Sequence, residues 1–447
     1  LRDFEPRVPG QVGIYVCGPT VQSAPHIGHL RSALVYDLWR RWFSYRGFTV
    51  TLVRNVTDID DKILDVRGDE EWWALAARIE REFDTAATAL GILPPTIEPR
   101  ATGHIGDMIA LISRLSDRGH AYAAADGSGD VYFSVASWPD YGQLTRQSPD
   151  EVESDEANSA RGKKDPRDFA LWKGRKESEP TTASWESPWG AGRPGWHIEC
   201  SAMATRYLGS GFDIHGGGLD LRFPHHENEL AQSRAAGDDF ATTWLHNGLV
   251  TMNGQKMSKS VGNVMGAAEL LSQTDSTAAR YFLLAPHYRS TMDVHDGSLA
   301  EASAAWDRIR GFARRTAHLV TAASEVPDAF AAAMDDDLAV PAALAVLHET
   351  VRAGNTALDA SDSTAVLARA NEVAAMLNVL GLVVETDSHG PTHAALGTLI
   401  DRLITERNRA RADKDWATAD RIRDDIDAAG ITLEDSAVTT RWSINDG

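Results

Sequence analysis

Residues 213–229 read DIHGGGLDLRFPHHENE, and the rest of the chain is read outward from them. Three consecutive glycines, Gly216–Gly218, let the backbone bend sharply and approach a ligand closely, because no Cβ restricts it. Pro224 suits the start of a helix over HHENELAQS. On such a helix His225 and Glu229 stand at i and i+4 and project from one face. An imidazole and a carboxylate one turn apart make half of a metal site. The chain holds 2 cysteines, Cys17 and Cys200. Two thiolates would complete a four-ligand set of the kind zinc favours. No CxxC pairs the ligands locally, so spacing alone leaves the other reading open, two buried core cysteines.

Cys17 ends an apolar run, VGIYVC (12–17), that reads as a buried strand. The loop GPTVQSAPHIGH follows, then LRSALVYDLWRRWFSYRG with Leu30, Leu34, Leu38 and Trp42 at helical spacing. Gly47 closes that helix and FTVTLVRNV is a second strand. Strand, loop, helix, strand is a βαβ unit, so the chain opens as a parallel α/β sheet. Ligands bind at the carboxyl ends of such strands, where Cys17–His29 would lie. Residues 70–120 look helical, broken by LPPTIEPRATGH; then come short strands such as DVYFSV and the polar run SPDEVESDEANSARGKKDP. The α/β pattern resumes at Trp196, and Trp244–Val250 reads as a last strand. From about residue 300 the chain turns Ala-rich and helical, with a strand signal at ITLED near the end.

At 447 residues the chain exceeds one comfortable core, and about two to four domains are expected. The expected divisions are 1–90 and 196–250 for the two halves of a Rossmann-like domain, with 91–195 inserted as a connective segment. Residues 251–300 carry a lysine-bearing loop and connection, 301–390 a helical bundle, and 391–447 a small C-terminal domain. A net charge of −20 argues against a protein that grips nucleic acid by overall electrostatics, though not against a local basic surface. No apolar run is long enough to span a membrane and no signal peptide is apparent. The chain opens on Leu rather than Met, as expected where the natural start lies upstream. Two cysteines do not make a disulfide framework, so a reducing cytoplasm is the expected location.

PHIGH (25–29) places two histidines at the mouth of a helix, where imidazoles and the positive end of the helix dipole favour phosphate charge. KMSKS (256–260), between Gly254 and Gly262, is a flexible loop whose two lysines can close on a leaving pyrophosphate. In this order the two motifs resemble the signatures of class I aminoacyl-tRNA synthetases. With YVCG (15–18), NVTDIDDKI (55–63), GRPGWHIECS (192–201) and HGGG…PHHENE, the chain resembles the cysteinyl-tRNA synthetases over about residues 10–440.

That resemblance implies one zinc ion on Cys17, Cys200, His225 and Glu229, with His226 and Glu227 off that face. It implies a substrate pocket with Thr20, Trp196, His215 and Asp220, the carboxylate of Asp220 meeting the cysteine ammonium. It implies ATP, accompanied by Mg²⁺, on His26, Gly28, His29, Lys256 and Lys259, and acyl transfer to tRNA(Cys). Asp58, Asp60 and Asp61 are read as structural or tRNA-facing. A monomer without an obligate protein partner is expected. In ITERNRARADKDWATADRIRDDIDAAG, Arg407 and Arg411 lie one turn apart and Trp416 follows. Arg411, Trp416, Asp420 and Asp435 are the expected anticodon contacts, beside the alternative of an ordinary charged helix surface. The rival function is a ligase joining cysteinyl-adenylate to a glucosaminyl-inositol acceptor; it would have no need of an anticodon module.

Overall fold

The structure is a computed structural model that describes residues 3–146, 162–257, 262–320, 324–384, 391–435 and 440–444. The chain divides into two compact units, Leu1–Val384 and Glu385–Gly447. The first begins with the expected βαβ unit: β1 (Gln11–Val16), α1 (Ile27–Tyr45) and β2 (Thr49–Arg54). Side chains alternate across β1. Val12, Ile14 and Val16 pack with Tyr36 and Phe43, whereas Tyr15 and Cys17 face a second core with Val53, Val56 and Ile198. A strand buried on both faces is the rule in parallel sheets. Leu30, Leu34, Leu38 and Trp42 of α1 are all buried, as their spacing predicts.

Helices α2 (Asp61–Val66), α3 (Trp72–Ala89) and α4 (Ile105–Asp117) follow. A separate antiparallel sheet then forms from β3 (Ala121–Ala123), β4 (Val131–Phe133), β5 (Phe169–Gly174) and β6 (Gly192–Pro194), in that spatial order. Next, α5 (Trp196–Leu208), β7 (Ile214–Gly218), α6 (Glu227–Ala235) and β8 (Thr243–Asn247) return the chain to the first sheet. That sheet is parallel throughout, in the order β2-β1-β7-β8. The strand order reverses between β1 and β7, so their carboxyl ends frame a topological switch point.

Beyond it, β9 (Val250–Met252) and β10 (Gln255–Lys256) lead through α7 (Ala267–Gln273) and α8 (Ser276–Leu284) to β11 (Met292–Val294). These strands make a small sheet, β10-β9-β11. Helices α9 (Ser298–Thr316), α10 (Asp328–Asp335), α11 (Val340–Asp359) and α12 (Ser363–Leu380) complete the unit. The second unit pairs α13 (Pro391–Ala412) with α14 (Trp416–Ala428) and the hairpin of β12 (Ile431–Asp435) and β13 (Thr440–Ile444). Its core is a cluster of isoleucines: Ile400, Ile404, Ile422, Ile426 and Ile431. No helix among the described residues is long and apolar enough to cross a membrane. The parallel α/β sheet followed by helices and a small terminal unit is the expected fold class.

Three local expectations are corrected. Gly216–Gly218 do not bend; they lie within β7. A Cβ at Gly216 would overlap the Tyr36 ring, and one at Gly217 would press on Leu221 and the His226 ring. The glycines therefore serve close packing rather than a turn. Trp244–Val250 is not one strand: β8 stops at Asn247 and β9, in another sheet, starts at Val250. Between them Gly248 donates to the Tyr288 carbonyl at 2.7 Å and leaves the parallel sheet. Pro224 does not begin regular helix, which starts at Glu227. Phe223 is extended (φ −138°, ψ 134°), because the residue before a proline is pushed out of the helical region.

A buried ion pair joins the sheet region to the helices. Arg280 of α8 donates to Asp37 of α1 at 2.6 Å, to the Leu90 carbonyl at 3.0 Å and to the Leu380 carbonyl at 2.8 Å. Asp37 also accepts from Arg41 at 2.8 Å and from the Leu93 amide at 3.0 Å. Replacing Asp37 by asparagine would strand the Arg280 charge in the interior, a loss of about 3–5 kcal/mol. The urea midpoint of Asp37→Asn should fall accordingly; a midpoint equal to wild type would show that the pair does not join these layers.

Candidate active site and metal centre

A cavity of about 380 Å³ opens at the carboxyl ends of β1 and β7. Thr20, His26, Gly28, His29, Trp196, Asp220 and Lys256 all line it, which gathers residues from five separate stretches of sequence. His26 is the N-cap of α1, and its Nδ1 accepts from the Gly28 amide at 3.1 Å. His29 Nδ1 accepts from the His26 amide at 3.3 Å, and the two rings stack with centroids 3.8 Å apart. A neutral imidazole that accepts through Nδ1 carries its proton on Nε2. The first turn of α1 thus combines two ring N–H donors with the positive end of a 19-residue helix, a setting for anionic oxygens. Lys256 stands exposed in β10 at the cavity edge; Lys259 lies outside the described residues.

Behind the Cys17 side of the cavity, four side chains converge in the interior. Cys17 Sγ lies 3.5 Å from Cys200 Sγ and 3.3 Å from Glu229 Oε1, while His225 Nε2 lies 3.1 Å from the same Oε1. One ligand atom from each of Cys17, Cys200, His225 and Glu229 falls within 4.8 Å of all the others, and all four residues are buried. Bonds of about 2.0–2.3 Å to a tetrahedral zinc imply donor–donor edges of about 3.3–3.8 Å, close to what these side chains already show. Burial pushes both thiols above the usual cysteine range and drives His225 down to about 3. Burial thus favours protonated thiols and neutral imidazole; a divalent cation reverses the preference at sulfur by binding the thiolate. The donor set fits such an ion.

The environment of this set is ordered by histidines. His215 was expected to line the pocket, yet it is fully buried and lies behind Glu229. Its Nε2 meets Glu229 Oε2 at 2.8 Å and its Nδ1 the Tyr15 carbonyl at 3.2 Å. His225 Nδ1 lies 2.8 Å from His197 Nδ1, and the Trp196 ring covers His225 at 4.2 Å between centroids. His226 Nδ1 lies 2.8 Å from His246 Nε2. A second grouping, Cys17, His215, His226 and Glu229, is equally close, but it shares two ligands with the first and omits Cys200. Glu227, also off the ligand face, accepts from the amides of Gly142 and Thr145, each at 2.9 Å, and has a structural part.

Asp58 binds Thr102, Asp60 caps α2, and Asp61 pairs with Lys173 and Arg193; all three are engaged within the protein. Sequence reasoning missed Lys62, which lines the cavity with its Nζ 5.6 Å from the Trp196 ring centroid. It also missed Asn247–Val250 as a cavity wall. The Asn-Gly pair, a turn signal inside an apolar run, was the available clue. In the second unit Arg411, Trp416 and Asp420 are exposed, Trp416 by 58%, whereas Arg407 is buried. The Asp435 side chain lies outside the described residues; its backbone pairs with Thr440.

Residues 3–304 match the family model for the class I (C) tRNA synthetase catalytic domain. Residues 329–385 match the DALR domain, and 393–442 the cysteinyl-tRNA ligase anticodon-binding domain. A cysteine–tRNA ligase of Clavibacter sepedonicus is 61% identical over all of this chain and 97% of its own length. Those of Leifsonia xyli and Micrococcus luteus are 61% and 57% identical, over 99% and 100% of this chain and 97% and 98% of their own lengths. Among solved structures, Mycobacterium tuberculosis methionyl-tRNA synthetase with methionyl-adenylate superposes with a TM-score of 0.58 at 17% identity, covering 83% of this chain and 90% of that one. The Agrobacterium radiobacter LeuRS ternary complex gives 0.57 at 12% identity, over 85% and 84%. These two likenesses concern the fold.

Because His215 holds the second oxygen of Glu229, His215→Leu should weaken divalent-metal affinity about 10–100-fold, the usual cost of losing such a support. Competition with a chromophoric chelator measures it; an unchanged affinity would show that Glu229 is oriented by other means.

Proposed function

Because the chain belongs to the cysteine–tRNA ligases, a family of class I aminoacyl-tRNA synthetases, we propose that the cavity at the β1/β7 switch point is its active centre and that the adjoining donor set holds one zinc ion. The reaction is ATP-dependent activation of L-cysteine to cysteinyl-adenylate, then transfer of the acyl group to the 3′-terminal adenosine of tRNA(Cys). The observation that carries the assignment of the site is convergence: Cys17 belongs both to the buried donor set and to the lining of the cavity that holds the PHIGH turn and Lys256. The match of residues 393–442 to an anticodon-binding domain favours tRNA over an amino-sugar acceptor.

In the first step the cysteine carboxylate attacks the α-phosphorus of ATP and pyrophosphate leaves. His26, His29 and the α1 N-terminus hold phosphate oxygens, with Mg²⁺ accompanying the nucleotide. Lys256 and Lys259 close on the departing pyrophosphate. Asp220 meets the substrate ammonium, Trp196 and Thr20 shape the amino-acid side of the pocket, and Gly28 allows close approach of the nucleotide. Bound to Cys17, Cys200, His225 and Glu229, the zinc ion supplies a soft Lewis acid that prefers a thiolate to a hydroxyl. Ordinary pocket contacts separate near-isosteres poorly, so this preference lets cysteine be distinguished from serine at first binding. In the second step a terminal ribose hydroxyl, the 2′ position in class I enzymes, attacks the acyl carbon and AMP leaves. No side-chain nucleophile is needed; the residues position reactants and stabilise charge. Arg411, Trp416, Asp420 and Asp435 take the anticodon, with the exposed Trp416 ring free to stack on an unpaired base. A cytoplasmic monomer completes this reading.

Purified protein should carry about one zinc per chain by elemental analysis, the four protein donors making one site that stays open to a substrate thiolate. Cys200→Ser should lose the metal and cysteine-dependent ATP–pyrophosphate exchange together. Active enzyme without metal would remove the basis for selecting thiol over hydroxyl.

The terminal unit is tested separately. Arg411→Ala combined with Trp416→Ala should leave pyrophosphate exchange near wild type and weaken tRNA charging by about 1–3 kcal/mol, the worth of one stacked base. Normal charging by this variant would place the anticodon contacts elsewhere; coupling of cysteine to glucosaminyl-inositol without any tRNA charging would overturn the choice of acceptor.

A further inference from the structure

We infer that Arg31 is a positioning residue for the nucleotide half of the reaction: its buried guanidinium locks the PHIGH helix to the two chain segments that carry the cavity wall and the Lys256 sheet. The inference rests on the ATP-activation reading above.

Arg31 sits on α1 two residues beyond His29 and has 0% of its surface exposed. A guanidinium enters the interior only when most of its donors are used, because a buried charge without partners is costly. Here Nη1 donates to the carbonyls of Gly248 and Leu249 at 2.8 and 3.1 Å, and Nη2 to those of His287 and Ser290 at 3.2 and 2.8 Å. No ion pair to a carboxylate accompanies them among the described residues. Four backbone carbonyls from two segments therefore fix one side chain, and the side chain fixes them.

Those segments are not arbitrary. Residues 247–250 form part of the cavity wall and run from β8 into β9, while 287–290 run into β11. Strands β9 and β11 pair in parallel, and β9 also pairs with β10, which carries Lys256. The Gly248 amide is bonded to Tyr288, and a Cβ at Gly248 would overlap the Ser290 carbonyl, so the two segments touch directly. Next along α1, Ser32 Oγ donates to Asn247 Oδ1 at 3.0 Å. The far foot of the lysine loop is also tied to this helix mouth: the Ile27 amide donates to Met265 at 3.1 Å and the Ala267 amide to Pro25 at 2.9 Å. Both feet of the loop are thus registered against the turn that holds His26 and His29. None of Arg31's bonds involves Cys17, Cys200, His225 or Glu229. The strap consequently governs nucleotide geometry and leaves the thiol-binding half alone.

The test is steady-state ATP–pyrophosphate exchange on wild type, Arg31→Met and Arg31→Lys, with KM for ATP, KM for cysteine, kcat and zinc content measured on each. Misplacing a phosphate-holding group by a fraction of an ångström costs much, so kcat/KM for ATP should fall about 10–100-fold in Arg31→Met while the KM for cysteine and the zinc content stay at wild-type values. Arg31→Lys keeps the charge and can reach only part of the carbonyl set, so it should fall in between. If Arg31→Met fails to accumulate as folded protein, Arg31→Lys alone carries the ATP-against-cysteine comparison. The inference is overturned if the folded variants use ATP as wild type does. It is equally overturned if ATP, cysteine and zinc parameters decline together, which marks a general packing role. Wild-type protein inactive in the exchange would instead refute the activation reading itself.

Discussion

The pairing of β1 with β7 is the contact on which the rest depends. Ile14, Tyr15 and Val16 stand opposite Ile214, His215 and Gly216, and the Cys17 amide then donates to the Gly216 carbonyl at 3.0 Å. This register sets the ends of the two strands level. It delivers Cys17 to the place where α5 brings Cys200 and where the chain, leaving β7, presents His225 and Glu229. The pairing requires α1 to lie close, and Gly216 makes room: the Tyr36 hydroxyl accepts from the Gly217 amide at 2.6 Å and donates to the Leu245 carbonyl at 2.8 Å. A side chain at Gly216 would push α1 away and, with it, the PHIGH turn.

The same arrangement explains why two different chemistries share one cavity. Parallel strands end together, and at a switch point the helices diverge to opposite faces, leaving a crevice. One wall of that crevice is the N-terminus of α1, suited to phosphate. The other is a buried set of sulfur, nitrogen and oxygen donors with second partners already in place on Glu229 and His225. Burial works against thiolates there in the absence of a divalent ion, so binding of such an ion would be coupled to the final ordering of this wall. Orientation of the ligands by His215 and His197 limits how far they can relax in its absence.

Much of this was legible from residue types at short range. His225 and Glu229 meet because a helical turn brings i and i+4 together, even though the regular helix starts later than Pro224 suggests. The two cysteines, far apart in sequence, could be joined only through the likeness to a family, since local spacing does not pair them. Three features were hidden for physical reasons. The glycines of β7 look like a bend because flexibility is a local property, whereas their use here is packing against Tyr36, a partner that only the fold supplies. His215 looks like a pocket residue beside glycines, but strand alternation turns it inward to Glu229. Arg31 looks like one more charge on an amphipathic helix; its four carbonyl partners lie more than two hundred residues away.

The central claim, that substrate thiol joins a metal held by Cys17, Cys200, His225 and Glu229, is tested most directly by X-ray absorption at the zinc edge. The account predicts two sulfur ligands in the free enzyme, three after addition of cysteine, and no change with serine. A sulfur count that stays at two with saturating cysteine, or that responds alike to both amino acids, would contradict it.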